Sequence, residues 1–251
     1  MDATQQYAQQ NFSLPHDVVK LPSGGVFYKS KKKAIKVGYL TAADENLLMA
    51  GGTIGNDSVI MTLLRSKIYE SDIKPEELLQ SDIQAILIFL RNTAFGTDYE
   101  FSIEDPETGK IFNSIISLEE LFLKQTDVKP TEDGSLLATL PKSGISVKVK
   151  PLSFGELNEL DKMAESYPQG RVVPKQTWKL QRMIVEMDGN SDKSYIVQNI
   201  ETLPISDAKF IRKFVDDNEP GLDLNKKIIA PSGKEISVNI SFGAEFFRPF
   251  F

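Results

Sequence analysis

Hydrophobic and polar positions change period several times along the chain, and each change marks an element. After Leu21, Val26-Phe27-Tyr28 and Ala34-Ile35-Lys36-Val37 flank a lysine-rich turn and read as a hairpin. Thr41, with Asp44 and Glu45 just behind it, opens a helix through Met49, because a hydroxyl can accept a free backbone N–H and acids favour the positive end of the dipole. Gly51-Gly52 stops that helix. Asp57 or Ser58 caps a second one, with Val59, Ile60, Leu63 and Leu64 inward. Ser81 caps a third, carrying Ile83, Ile86, Leu87 and Leu90 at helical spacing. Beyond Gly96 the period falls to two. Tyr99, Phe101 and Ile103 alternate as a strand that pairs across Pro106-Glu107-Thr108-Gly109 with Ile111 to Ile115. Ser117 then opens a short helix to about Lys124.

The pattern starts again at Leu136. Ile145, Val147 and Val149 alternate as a strand, and Ser153-x-x-Glu156 is a capping box opening a helix to about Ser166. Helices are predicted at about Lys175 to Met187, Ser191 to Glu201 and Ile205 to Asp216. A closing hairpin turns at Pro231-Ser232-Gly233-Lys234.

Short motifs repeat in the same order. Leu21-Pro22 recurs at Leu140-Pro141, the helix start at Leu40 at Leu152, Ser81-Asp82 at Ser206-Asp207, and Pro106 at Pro231, at spacings of 119, 112, 125 and 125 residues. The predicted fold is therefore α+β, built as two degenerate copies of a hairpin–helices–hairpin unit. Residues 1–20 form an N-terminal arm, 21–124 the first copy, 125–135 a polar linker, 136–241 the second copy and 242–251 a Phe-rich tail. Such repetition suits a scaffold or adaptor better than an enzyme.

Composition narrows the class. At 251 residues, 41% hydrophobic and 25% charged, the chain has the make-up of an ordinary globular protein. Its longest apolar run near a helix, Ala85 to Leu90, falls far short of the roughly 20 residues that span a bilayer, and Met1 to Gln10 lacks the features of a secretory signal. With no cysteine there are no disulfides or thiolate metal sites, which fits a reducing cytoplasm. A net charge of −6 argues against broad nucleic-acid binding, which depends on neutralising phosphates.

Candidate chemistry is thin. His16 is the single histidine, so it cannot anchor a zinc site without several carboxylates, and any Ser-His-Asp triad would have to use it. Glu76-Glu77, Glu119-Glu120 and Asp216-Asp217 lie at helix ends, where dipole and solvent account for them. Gly51-Gly52-Thr53-Ile54-Gly55 lacks the lysine of a phosphate-binding loop. The chain offers no catalytic, cofactor-binding or metal-binding set and no small-molecule substrate site. Lys29, Lys31, Lys32 and Lys33 form a basic tip, read either as a solvated turn that discourages edge pairing or as a phosphate contact.

Five of the fifteen phenylalanines fall in the last ten residues: Phe242, Phe246, Phe247, Phe250 and Phe251. They either fold back to close the core of the second copy or form a docking tail, because soluble proteins rarely leave such a patch exposed. Phe246 and Phe247 are placed to pack inward, and Phe250 and Phe251, beyond Pro249, to reach a neighbour. Phe246, Phe247, Arg248, Phe250 and Phe251 are the candidate partner-binding residues.

The succession Leu21-Pro22-Ser23-Gly24-Gly25, Leu40-Thr41-Ala42-Ala43-Asp44-Glu45-Asn46-Leu47-Leu48, Ser81-Asp82 and Leu90-Arg91-Asn92-Thr93-Ala94-Phe95-Gly96 resembles the T4-type bacteriophage baseplate hub family over about Leu21 to Leu123. The resemblance implies a small non-enzymatic hub subunit or hub assembly factor of a contractile tail. Such a subunit is made in the host cytoplasm, resides in the virion tail baseplate and contacts other hub or tail proteins. Some relatives carry paired cysteines at the Pro-Gly hairpins; this chain has none, so metal binding is not carried over. Two further classes stay open: a transient hub assembly chaperone absent from the finished virion, and an unrelated cytoplasmic adaptor with a basic nucleic-acid contact.

Overall fold

The computed structural model describes residues 15–49, 56–242 and 244–247. Strand β1 (His16–Lys20) pairs antiparallel with β2 (Ala34–Gly38), and the chain continues into α1 (Ala42–Met49) and α2 (Asn56–Lys67). A 3-10 turn at Pro75–Glu77 leads into α3 (Gln80–Phe95), followed by the hairpin of β3 (Asp98–Glu104) and β4 (Ile111–Ser117). After a 3-10 turn at Leu118–Glu120 the second half begins with β5 (Leu136–Thr139) and β6 (Ser146–Val149). It proceeds through α4 (Phe154–Glu165), α5 (Lys175–Met183), β7 (Ile184–Met187), α6 (Lys193–Glu201) and α7 (Ile205–Asn218). The last hairpin is β8 (Asn225–Ile229) and β9 (Glu235–Asn239), before a 3-10 turn at Ala244–Phe247. Small antiparallel sheets among helices make the protein α+β, as the periodicity predicts.

Several local expectations are revised. The first strand precedes the Leu-Pro motif: His16–Lys20, inside the stretch read as an arm, is the partner of β2, and Val26-Phe27-Tyr28 lies in a run of turns. Gly24 and Gly25 both take positive φ there, and Ser23 and Tyr28 are drawn into the interior, so the segment cannot extend. Thr41 does not accept from its helix. Its N–H and hydroxyl instead donate to the Asp44 carboxylate at 2.6 and 2.7 Å. Ser81 is not a cap either; α3 starts one residue earlier, and the cap position is Leu79. Ser117 opens only the 3-10 turn, without a side-chain cap. Residues 184–187, expected as helix, form β7 on β6, where Ile184 and Met187 point into the core. The Ser153–Glu156 capping box forms as expected, with Ser153 Oγ accepting the Glu156 N–H at 3.2 Å and Glu156 accepting the Ser153 N–H at 2.8 Å. Gly51 and Gly52 lie outside the described residues.

Two apolar cores result. The first gathers Ile35, Val37, Leu63, Leu64, Leu78, Ile86 and Leu90 from the first half, and also Ile240, Phe246 and Phe247 from the end of the chain. The second gathers Leu136, Leu140, Val147, Val149, Leu160, Met183 and Ile211. Phe27 reaches from the first half onto the second core, and Phe154 from the second half onto the first.

A buried aspartate fixes the Leu-Pro turn in each half. Asp82, the third residue of α3, accepts the Ser23 N–H at 2.9 Å, the Ser23 hydroxyl at 2.5 Å and the Tyr28 hydroxyl. Asp207, the third residue of α7, accepts the Lys142 and Ser143 N–H groups at 2.8 and 2.9 Å. Both side chains are sealed from solvent. Burial and the Asp82 charge push the Tyr28 hydroxyl pKa up, so the tyrosine keeps its proton and donates it, while its oxygen accepts the Leu79 N–H at 2.8 Å. We expect Asp82→Ala to destabilise the protein by about 3 kcal/mol and Asp207→Ala by about 2 kcal/mol, since each strands buried donors. Tyr28→Phe should cost about 1 kcal/mol. Urea unfolding of the three variants checks the order.

Candidate functional site

His16 stands at the start of β1, edge-on to Tyr69 with ring centroids 5.8 Å apart. Among the described residues no group of three or more His, Asp or Glu side chains is placed to hold a metal. The groove between α2 and α4, lined by Met61, Arg65, Glu76, Asp161 and Lys162, carries charges that answer each other: Arg65 binds Glu76, and Asp161 binds Lys175. The basic tip is partly consumed inside the molecule. Lys32 bonds to Glu70 and Asp72, and Lys31 donates to the carbonyls of Val26 at 2.8 Å and Glu132 at 3.0 Å.

What the fold does build is a lobe of two hairpins. The turn of β3–β4 is tied to that of β8–β9 by Asp105, whose carboxylate accepts the Ser232 N–H at 3.0 Å and the Ser232 hydroxyl at 2.9 Å. Burial alone would raise the Asp105 pKa, but the N–H groups of Glu107 and Ser232 and the Ser232 hydroxyl outweigh it and hold the carboxyl below its ordinary value. Strand alternation turns Tyr99, Phe101, Ile228 and Val238 toward the first core and leaves Asp98, Glu100, Glu104, Ile111 and Ile115 outside. Ile111 and Ile229, the strand residues nearest the two turns, are each about three-quarters exposed at 74% and 75%. The lobe therefore carries exposed isoleucines at its tip, with Glu104 opposite Ile111 and the Lys227–Glu235 ion pair beside Ile229.

The C-terminal phenylalanines join this lobe to the first core. Phe246 and Phe247 are buried there, and not in the second core, where the sequence reading would have let them close it. Phe246 packs on Phe242, Phe247 and Tyr99 with centroids 4.8, 5.4 and 5.4 Å away. Its carbonyl accepts from Arg91 Nε at 3.2 Å, and the same guanidinium donates to the carbonyls of Gly96 at 2.7 Å and Asp98 at 2.9 Å. Arg91 also lies over the rings of Tyr99 and Phe246 at 5.1 and 5.7 Å, so the cation is satisfied by carbonyls and π-faces. Burial lowers its pKa. Both rings are enclosed, and Arg248, Phe250 and Phe251 lie outside the described residues.

A family model for the T4 bacteriophage base plate protein matches residues 18–248. The chain belongs to that family. No curated protein and no solved structure matches it. Sequence reasoning found the phenylalanines and both Pro-Gly turns, but missed Arg91 and Asp105. The only signal for Asp105 was its place before Pro106, where an aspartate typically binds its own turn; here it does so, accepting the Glu107 N–H at 2.9 Å, and spans to Ser232 as well.

One titrating group sits at the junction of the halves. Glu219, just past α7, faces Ser81 of α3, whose hydroxyl is 3.5 Å away, with Asp82, Asp216 and Lys124 around it. Burial lifts its pKa from 4.5 to about 7; Asp216 and Asp82 push the same way, and Lys124 and Ser81 offset part of the rise. A carboxyl whose pKa is higher in the folded state stabilises the fold fully below its unfolded value and loses that contribution as pH rises through the folded value. We expect stability to decline between pH 4.5 and about 7 by up to roughly 3 kcal/mol. Glu219→Gln should flatten this decline, which urea midpoints at pH 5 and pH 8 would show.

Proposed function

We propose that the protein is a non-enzymatic structural subunit of the baseplate hub of a contractile tail. In this reading it is made in the host cytoplasm and contacts other hub or tail proteins through the double-hairpin lobe and its last residues. The family match over residues 18–248 carries the baseplate role. The assignment of surfaces is supported by the exposed Ile111, Ile115 and Ile229 beside Asp98, Glu100 and Glu104, since exposed apolar residues rimmed by polar ones mark interaction sites. It is supported further by the fixed point from which Arg248, Phe250 and Phe251 depart, with Phe246 and Phe247 anchored behind them. Preordering the chain up to an aromatic anchor lowers the entropy lost when that anchor docks.

The test is the protein content of purified tails. We expect mass spectrometry to find the chain in finished particles and cross-linking to place the hairpin lobe against another hub or tail protein. Detection in assembly intermediates but not in the virion would assign it instead as a transient assembly factor. Deleting Phe250 and Phe251 should leave the urea midpoint unchanged and reduce incorporation at least tenfold. A truncated chain that incorporates normally would remove the tail from the interface.

A further inference from the structure

The segment that follows each hairpin crosses onto residues of the other half, and the β8–β9 hairpin ahead of the second crossing already packs on the first core through Ile228 and Val238. After β4, Phe122 to Lys124 pair with Gly221 to Asp223 just ahead of β8. The Lys124 N–H donates to the Gly221 carbonyl at 2.8 Å, the Asp223 N–H donates to the Phe122 carbonyl at 2.8 Å, and Leu123 opposes Leu222 in an antiparallel bridge. After β9, Phe246 lies against the residues just ahead of and within β3, with its ring on Tyr99 and its carbonyl on the guanidinium that also holds Gly96 and Asp98.

These crossings are related by number. Phe122 and Phe246 stand 124 residues apart, and Gly96 and Gly221 stand 125 apart. The same spacing of 125 separates Asp82 from Asp207 and Pro106 from Pro231. It also separates Arg91 from Asp216, and both of these helix residues hold a crossing segment: Arg91 donates to the Phe246 carbonyl, and the Asp216 carbonyl accepts the Lys124 ammonium. The donor sits on the helix in one half and on the crossing segment in the other, but the place is the same.

We infer that the chain is a fused dimer of one unit, in which each copy is held to the other by the segment after its hairpin. It goes beyond a baseplate role, because it states how the two halves are joined whatever they contact. The two crossings are unequal. Phe246 and Phe247 are buried among first-half helices, whereas Phe122 and Leu123 remain 73% and 63% exposed, with the Lys226 ammonium 5.6 Å from the Phe122 ring. The first crossing segment must run on to β5, and its backbone is spent on Gly221 and Asp223 instead of following its side chains inward.

The absence of cysteine makes the test direct. A protease site is inserted between Lys129 and Pro130 of the full chain, outside the hydrogen-bonded Thr131–Ser135 turn, and the folded protein is cut. The two pieces should elute together as one 28.0 kDa species. With Leu123→Cys and Leu222→Cys added and oxidised, they should migrate as one band on a non-reducing denaturing gel. Phe246→Ala with Phe247→Ala should weaken their association at least tenfold, whereas Val172→Ala at an exposed loop leaves it unchanged. Should the double variant fail to fold uncut, Arg91→Lys, which keeps the charge and loses the fork, reads the same contact. Pieces that separate on dilution to nanomolar concentration, absence of the cross-link, or association indifferent to the crossing residues would overturn the inference. An experimental structure in which residues 80–123 and 205–247 do not superimpose would overturn the equivalence of the copies.

Discussion

A tight turn whose backbone N–H groups face the interior must find an acceptor, and in this protein the acceptor is an aspartate in the first turn of a helix. Asp82 and Asp207 each occupy the third helical position, where free N–H groups and the positive end of the dipole already favour a carboxylate. Each then reaches across at least 59 residues of chain to seize the Leu-Pro turn. That contact sets the first hairpin of its half against the helix that precedes the second hairpin. Strand, helix and hairpin are thereby placed from one fixed point. In the first half the chain of bonds goes further, because Tyr28 donates to Asp82 and accepts from Leu79, and Leu79 pairs with Ser153 at the start of α4.

The same position behaves differently in the two halves, and the difference lies in what surrounds it. Burial dominates at Asp82 and raises its pKa despite hydrogen bonds from Ser23 and Tyr28. At Asp207 burial pushes the same way, but the N–H groups of Lys142 and Ser143, with the nearby Lys142 charge, outweigh it and lower the pKa. Asp82 lies at the junction, with Glu219 brought near it by α7. Asp207 faces an outer turn. A carboxylate held by backbone N–H groups is stabilised as an anion, whereas at Asp82 the loss of solvent outweighs the donors it has.

Much of this was legible in the sequence. The period change after Gly96, the Pro-Gly turns and the Ser153 capping box each have a local cause, and each element appears where that cause places it. The misreadings share another origin. Ser81 and Thr41 have the chemistry of helix caps, but the Ser81 hydroxyl faces Glu219 and the Thr41 hydroxyl binds the neighbouring Asp44, and no local pattern announces a partner 138 residues away. Residues 184–187 continue a helical pattern as well as they begin a strand, and the choice is made by the open edge of β6. The linker, read only as polar, ends in a turn where Asp133 accepts from Ser135 and Thr131 and is held at about 2. A Cβ on Gly134 would come within 2.4 Å of the Val26 carbonyl, so that turn is laid directly against the first half. Hydroxyls and glycines of this kind look like solvent-facing linker until the surface they meet is known.

The phenylalanine cluster shows where pattern stops and tertiary context begins. Composition alone says that five aromatic rings near one terminus must be covered, because each buries roughly 150–250 Å². It does not say by what. The cover for Phe246 and Phe247 comes from the half of the chain farther away in sequence, and the decisive group is a cation: without Arg91 the carbonyls of Gly96, Asp98 and Phe246 would each need another donor as the rings closed over them. Burying a guanidinium is costly unless its hydrogens are used, and three carbonyls with two aromatic faces meet that requirement. The apolar contact brings the end of the chain to the first core, and the polar one fixes where along that core it stops.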